Sequence, residues 1–330
     1  MKKYNLTFFI LAILLILSGA LALTFGPAKI SITDITQCVI GKCVSPIHQM
    51  IIWEVRIPRI LVGIVAGMGL AIAGAILQNT TRNPLADPYI FGIVSGAALG
   101  ATIATITLSN QLTVALPLAA FIGALFSVLI VVFISTALKN HEQLLLTGIA
   151  VSFMLTAISQ FLLYLGEPFA TNRVLFWLMG SLARVEMSNF YIIGSILLIS
   201  LLVIIAYHRQ IDALLLGDES ASSLGVNVNK LRLLMLAICA AITATVVAYC
   251  GGIGFVGLMI PHIVRQFIGV TTLPLIIGSA LVGGSFLVWV DVGARSALES
   301  AELPLGIITS AIGSIFFIGI MLKVKNKITT

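Results

Sequence analysis

Charge is what this chain has least of. Twelve Asp and Glu and 18 Lys and Arg among 330 residues make 9% of the sequence charged, against about 25% in an ordinary soluble domain. The few charges fall in short breaks between uncharged apolar runs, where they avoid the ~2.5 to 3.5 kcal/mol or more that a charge costs at the centre of a lone bilayer helix. Hydrophobic residues make up 59% of the chain and the mean hydropathy is +1.15, which excludes a water-soluble fold. No Gly-x-x-x-x-Gly-Lys-Ser/Thr loop occurs anywhere, so the chain does not hydrolyse ATP by that route, and energy must come from a partner or a gradient. Acids and histidines are nearly missing from the runs, which argues against a proton relay at mid-membrane depth. The 4 cysteines have no zinc or iron–sulfur spacing, and no metal-ligand set is expected. No His, Asp or Cys cluster marks a membrane face, so a lipid-modifying enzyme is disfavoured. No Ser- or Pro-rich linker divides residues 1–330, which therefore read as one integral membrane domain.

What is present sets the architecture. Uncharged runs lie at Leu6 to Phe25, Ile60 to Asn79, Tyr89 to Leu108, Leu112 to Leu138, Gln143 to Gly166, Met187 to Tyr207, Leu233 to Val264, Gln266 to Val290 and Leu303 to Leu322. About 20 apolar residues cross the hydrocarbon as a helix that satisfies its own backbone. The seventh run is too long for one crossing. Gly251, Gly252 and Gly254, followed by Pro261, predict a helix ending near Cys250 and a second from about Phe255. The expectation is an all-α polytopic protein with about ten transmembrane helices. An even count puts both termini on one side, and Lys2, Lys3, Lys323, Lys325 and Lys327 mark that side as cytoplasmic. The inner breaks then also hold Arg82, Lys139, Arg209, Lys230, Arg232 and Arg265, while Lys29, Lys42, Arg56, Arg59, Arg173, Arg184 and Arg295 lie outside. A cleaved signal ending at Ala20-Leu-Ala22 is the competing reading of the first run; its length favours an uncleaved span.

Three non-spanning stretches are long enough to be ordered. Gly26 to Arg59 lies outside, and its Cys38 and Cys43 read equally as a disulfide or as two free thiols. Cys239 and Cys250, inside apolar sequence, read as packing residues. The outer segment 167–186 contains Val174 to Leu182, too short to cross and expected to lie on the surface. The inner segment 208–232 is the main polar loop. Asp218 and Glu219 suit a helix start, Ala221 and Leu224 offer an apolar face, and Gly225 ends a short helix.

Several motifs go beyond what a plain bundle needs. Arg82-Asn83-Pro84-Leu-Ala-Asp87-Pro88 should form a rigid inner turn, because two prolines block helix continuation and Asn83 and Asp87 can bond nearby backbone. Gly148, Ser152, Thr156, Ser159 and Gln160 fall on one face of the fifth run and fit either a wet pathway or close helix packing. Gly306, Ser310, Gly313, Ser314 and Phe317, and the pair Gly63 and Gly67, read as packing rows. His262 reads as a packing histidine beside Pro261. Arg56 and Arg59 flank Pro58 at the outer rim, with Arg295 at the same level, where arginine commonly anchors to head groups.

Arg56-Ile-Pro-Arg59, Arg82 to Pro88, Leu216-Gly217-Asp218-Glu219-Ser220-Ala221-Ser222-Ser223-Leu224-Gly225, Gly252 to Arg265 and Glu302 to Gly306 together resemble the FecCD-type permeases, the membrane subunits of type II ABC importers. The resemblance covers essentially the whole chain. It implies a homodimer around a central translocation pathway in a bacterial inner membrane. The cargo would be a metal chelate, an iron siderophore or haem first and cobalamin or molybdate as alternatives, received from a periplasmic binding protein. Two cytoplasmic ATPase subunits would carry ATP and Mg, no cofactor being bound by this chain. It also implies that Leu216 to Gly225 is the ATPase-coupling segment and that Arg56, Arg59 and Arg295 dock the binding protein. Partners are then the ATPases, the binding protein, a second copy and the lipid bilayer, with no nucleic acid. Gly269-Val-Thr-Thr272 replaces the Asp-His-Arg turn often found after the Arg265 block. A gradient-driven secondary carrier is the competing class.

Overall fold

The computed structural model describes residues 4–28, 30–107, 112–137, 144–298 and 301–328, and its regular structure is entirely helical among them. Lys2, Lys3, Lys29 and Lys139, part of the orientation argument, lie outside the described residues. Helix α1 (Asn5–Ala22) is followed by two short helices, α2 (Ile32–Val39) and α3 (Pro46–Met50), of the excursion ahead of the second span. A π-helical turn at Ile51–Arg56 leads into α4 (Ile57–Thr81). Pro58 has no N–H for the carbonyl four residues back, so the chain enters α4 through a wider turn. After a 3-10 turn at Pro88–Phe91 come α5 (Ile93–Thr107), α6 (Leu112–Ala137), α7 (Leu144–Leu165) and α8 (Pro168–Leu178). The chain continues through α9 (Met187–Leu214), α10 (Asp218–Ser223), α11 (Val228–Cys250), α12 (Val256–Ile268), α13 (Thr272–Ser296) and α14 (Leu305–Ile328). Eight helices are long and apolar enough to cross a bilayer, and α5 and α12 are shorter apolar helices, which accounts for the ten expected pieces. Cys38 and Cys43 are joined by a disulfide, while Cys239 and Cys250 are buried thiols.

Helix α4 is the axis of the bundle. In its most apolar stretch 78% of residues are buried, against 17% for α1 and for α14. The outer helices leave large apolar side chains such as Phe133, Phe153 and Ile315 uncovered, which costs nothing where the solvent is hydrocarbon. What holds helices together there is close contact, and α4 achieves it with glycine. A Cβ on Gly67 would strike the Gly283 carbonyl of α13, and one on Gly74 would strike the Gly257 carbonyl of α12. Gly96 meets Gly123 in the same manner between α5 and α6.

The break between α11 and α12 falls where the sequence places it, with α11 ending at Cys250 and Phe255 capping α12. Irregular backbone inside a membrane is tolerated only when protein satisfies it, and here the loop after α8 does so. Ser181 N–H donates to the Cys250 carbonyl at 2.8 Å, Leu305 N–H to Gly180 at 3.0 Å and Gly306 N–H to Met179 at 2.9 Å. The Tyr89 hydroxyl accepts from Ile253 N–H at 2.9 Å. Gly251 (φ 72°) and Gly180 (φ 77°) lie backbone to backbone, a contact that side chains would prevent.

Two boundaries differ from expectation. The surface helix runs from Pro168 to Leu178 rather than over 174–182, because Pro168 starts it and left-handed Gly180 turns the chain. The inner segment 208–232 is not all loop: α9 continues to Leu214 with Ile211 and Leu214 buried, and α11 begins at Val228 under an Asn227 cap. Gly74→Ala should lower the thermal stability of the purified protein by about 1 to 3 kcal/mol through overpacking. The same change at Gly194, which has nothing within 4 Å, should be neutral or stabilise by about 0.5 to 1 kcal/mol. Equal melting temperatures for the two variants would contradict the proposed role of α4 contacts.

Candidate functional site

Charged side chains gather at the two ends of α4. At its first end Arg59 is buried and fully paired. Its Nε donates to Asp291 Oδ1 at 2.8 Å, while Nη1 and Nη2 donate to Glu302 Oε1 and Oε2 at 2.9 and 2.8 Å. Arg295 Nε stands 3.3 Å from Asp291 Oδ2, and its Nη1 and Nη2 donate to the carbonyls of Phe25 and Ala22 at 3.1 and 2.9 Å. Arg56 donates to the carbonyls of Leu23 and Ala28. The last carbonyls of a helix have no partner within it and favour positive charge, so Arg56 and Arg295 together close the end of α1. Removing one member of such a buried pair typically costs about 3 to 5 kcal/mol, since the other charge is stranded.

The three arginines expected at the outer rim are drawn into the chain. Arg56, Arg59 and Arg295 are 3%, 6% and 5% exposed, and each is engaged inside the chain. Asp291, the partner of Arg59 and Arg295, and Glu302, the partner of Arg59, had no assigned role in the sequence. Asp291 was findable, since it sits four residues before Arg295 in a run otherwise free of charge, a spacing that favours pairing on a helix. Glu302 is 243 positions from Arg59, and no local pattern joins them. Glu54, only five residues from Arg59 in the sequence, makes no ion pair among the described residues.

At the other end of α4 a second carboxylate is shared by two arginines. Asp218, the first residue of α10, accepts from Arg82 Nη2 at 2.8 Å and from Arg232 Nη1 and Nη2 at 2.9 Å each. Arg232 Nε also donates to the Thr80 carbonyl at 3.1 Å. Arg82 ends α4 in the left-handed region at φ 51°, which costs a non-glycine residue about 1 to 2 kcal/mol. Asn83 Oδ1 then accepts from Leu85 N–H at 2.9 Å, and Asp87 Oδ1 from Tyr89 N–H at 2.7 Å, with Pro88 opening the 3-10 turn. Burial pushes the Asp87 carboxyl up to about 6, against the pull of the Tyr89 N–H. Pro84 and Pro88 thus stand in a turn locked by two side-chain caps.

Further bonds fasten the neighbouring helices to the same end. Arg265 of α12 donates to Gln78 Oε1 at 2.6 Å and Asn79 Oδ1 at 2.9 Å. Asn79 Nδ2 donates to the Val270 carbonyl at 3.0 Å, and Asp212 Oδ1 accepts from Thr272 N–H at 2.7 Å. The Gly269 to Thr272 stretch therefore makes its polar contacts through the Val270 carbonyl, the Thr272 N–H and the Thr272 hydroxyl, which accepts from Asn79 Nδ2 at 3.4 Å.

Helix α10 is attached by one side. Ala221 is fully buried, whereas Leu216 and Leu224 are 69% and 66% exposed. Ala221 and Leu224 do not share an open face; the uncovered apolar pair is Leu216 and Leu224, since Ala221 turns inward. Glu219, Ser220, Ser222, Ser223 and Gly225 are also exposed. Gly217 (φ 108°) and Gly225 (φ 82°) bend the chain at either side.

The stripe on α7 packs against α5 and the 3-10 turn. Ser159 and Thr102 share a hydrogen bond of 2.9 Å, Thr156 Oγ1 donates to Ser95 at 3.0 Å, and Ser152 bonds back to the Gly148 carbonyl at 2.8 Å. A Cβ on Gly148 would meet the Ile90 carbonyl. Of the two readings of this row, packing describes Gly148, Thr156 and Ser159 within one chain, and Gln160 alone of the five is exposed. His262 lies 5.9 and 6.4 Å from the rings of Phe316 and Phe317, a packed position.

The FecCD transport family model matches residues 13–323 of the chain. A cobalamin import system permease protein of Halobacterium salinarum is 41% identical over 82% of this chain and 73% of its own length. An Fe(3+)-citrate import system permease protein of Bacillus subtilis is 35% identical over 96% of this chain and 95% of its own. A solved structure presented as a metal-chelate type ABC transporter in an inward-facing conformation superposes with a TM-score of 0.87 at 30% identity, covering 97% of this chain and all of that one.

Proposed function

The chain belongs to the FecCD transport family, and we propose that it is the membrane permease of an ATP-driven importer that carries a metal chelate inward by alternating access. The match over residues 13–323, with all the charged motifs in it, carries this reading. Hydrolysis belongs to separate ATPase chains that hold ATP and Mg, since this sequence has no phosphate-binding loop. Two such ATPases act on two copies of the chain, set around a central pathway in the inner membrane. The termini and the Arg82 end of α4 face the cytoplasm, and the Arg59 end faces the binding protein. The exposed Leu216 and Leu224 beside buried Ala221 give an ATPase groove an apolar ridge to grip, and the polar cleft of about 400 Å³ alongside, lined by Asp218, Ser222 and Asn229, gives it a notch. Closure of the ATPases on ATP then moves α10.

For cargo, an iron chelate fits the Bacillus subtilis relative, and cobalamin fits the Halobacterium salinarum relative. Both are bulky ligands that shield their own metal, and no cluster of three or more His, Cys, Asp or Glu is found among the described residues to take a bare ion. Docking of the binding protein engages the Arg59 cluster, where Arg59 and Arg295 face Asp291 and Glu302 and Arg56, bonded only to backbone carbonyls, leaves one positive charge in excess. Glu302, more exposed than the rest at 36% of its side chain, holds the place a partner's carboxylate would take on Arg59.

Detergent extracts should bring down an ATPase chain in equal amount with this one, and Leu224→Asp should uncouple hydrolysis from uptake. Normal transport by that variant would remove α10 from the coupling role. Glu302→Gln should tighten binding-protein docking at low salt several-fold, because a competing carboxylate is gone; unchanged affinity would count against docking through Arg59.

A further inference from the structure

Asp218 joins three elements at one carboxylate, and we propose that the Arg82–Asp218–Arg232 triad is the positioning device that carries movement of α10 to the Arg82–Pro88 turn. The inference rests on the coupling role of α10 given above. One side of the triad is fixed to the bundle. Arg232 of α11 holds both oxygens of Asp218 at 2.9 Å and reaches the Thr80 carbonyl with Nε at 3.1 Å. The other side is fixed to the turn, because Arg82 is both the partner of Asp218 at 2.8 Å and the left-handed residue that ends α4.

From Arg82 onward the turn behaves as a single piece. Asn83 closes it with two bonds, its Oδ1 accepting from Leu85 N–H at 2.9 Å and its carbonyl from Ala86 N–H at 3.1 Å. Asp87 is buried and caps the following 3-10 turn. A displaced Asp218 therefore drags Arg82 and with it residues 83–87, whereas Ala221, the buried contact of α10, would by itself let the helix slide. As a source of stability the pair is weak, both side chains being more than 40% exposed, and exposed pairs contribute little. Its value is geometric: Arg232 grips both oxygens of Asp218, a bidentate hold that fixes direction as well as distance, and so aims the carboxylate at the single bond from Arg82.

The test uses the assembled complex of this chain with its ATPase in nanodiscs and a single reporter thiol, Leu85→Cys. Leu85 is 57% exposed, and the native cysteines of this chain are disulfide-bonded or buried, so maleimide incorporated into this chain, separated from the ATPase on a gel, reads the turn. ATP with vanadate should change the labelling rate of the reporter by about fivefold or more, the range of an ordinary coupling between sites. Arg82→Gln should abolish that change while the ATPase still co-purifies, Asp218→Asn should do the same from the other side, and Arg82→Lys should recover part of it. A nucleotide response that survives in Arg82→Gln, or is missing from the unaltered triad, overturns the proposal. Failure of the ATPase to co-purify with the native chain would instead strike the coupling role itself.

Discussion

Backbone contact along α4 is the constraint on which the other features depend. A bilayer offers helices little reason to associate beyond close packing and internal hydrogen bonds, so the central helix must be bare where it is crossed. Gly67 and Gly74 make it so against α13 and α12. With its 25 residues α4 spans about 37 Å at the usual rise, and its position sets where both charged clusters stand. At one end Arg59 shares Asp291 with Arg295, and at the other Arg82 shares Asp218 with Arg232. The same device, one carboxylate between two guanidinium groups, binds neighbouring helices to each end of the axis.

Much of this was legible in the sequence because hydrocarbon imposes strict rules. Ten apolar pieces, the glycine break after Cys250 and the capped turn from Arg82 to Pro88 follow from local composition and from what proline and asparagine do to backbone. The pairing of Arg59 with Glu302 was not legible, since it joins residues far apart in the chain, and an arginine at a span end looks the same whether it meets lipid or a buried acid. The α7 row shows a related limit. Small polar residues at helical spacing serve a channel or a contact equally well, and the bonds of Thr156 and Ser159 to Ser95 and Thr102 on α5 join residues that no local pattern connects. The same holds for α10, where the period put Ala221 and Leu224 together but a helix of six residues is turned by its anchors, Asp218 above all.

The division of labour follows from where charge is missing as much as from where it stands. The one acid buried in the α13 span, Asp291, is held between Arg59 and Arg295, the arginines at the Arg59 end are locked by partners within the chain, and Leu216 and Leu224 flanking α10 are left uncovered together with Leu85 of the inner turn. The chain belongs to a transport family. Its helices are joined at both ends of α4 by short, directional polar bonds, an arrangement that suits the proposed gate worked from outside.

The central claim is that motive force enters from partner ATPases through the inner face. It is tested most directly by reconstituting the chain in vesicles, alone and with its ATPase and binding protein, and measuring accumulation of ferric chelate and cobalamin with ATP or with an imposed proton or sodium gradient. The account predicts accumulation by the full assembly on ATP and none by the chain alone under any gradient. Concentrative uptake by the chain alone would contradict it.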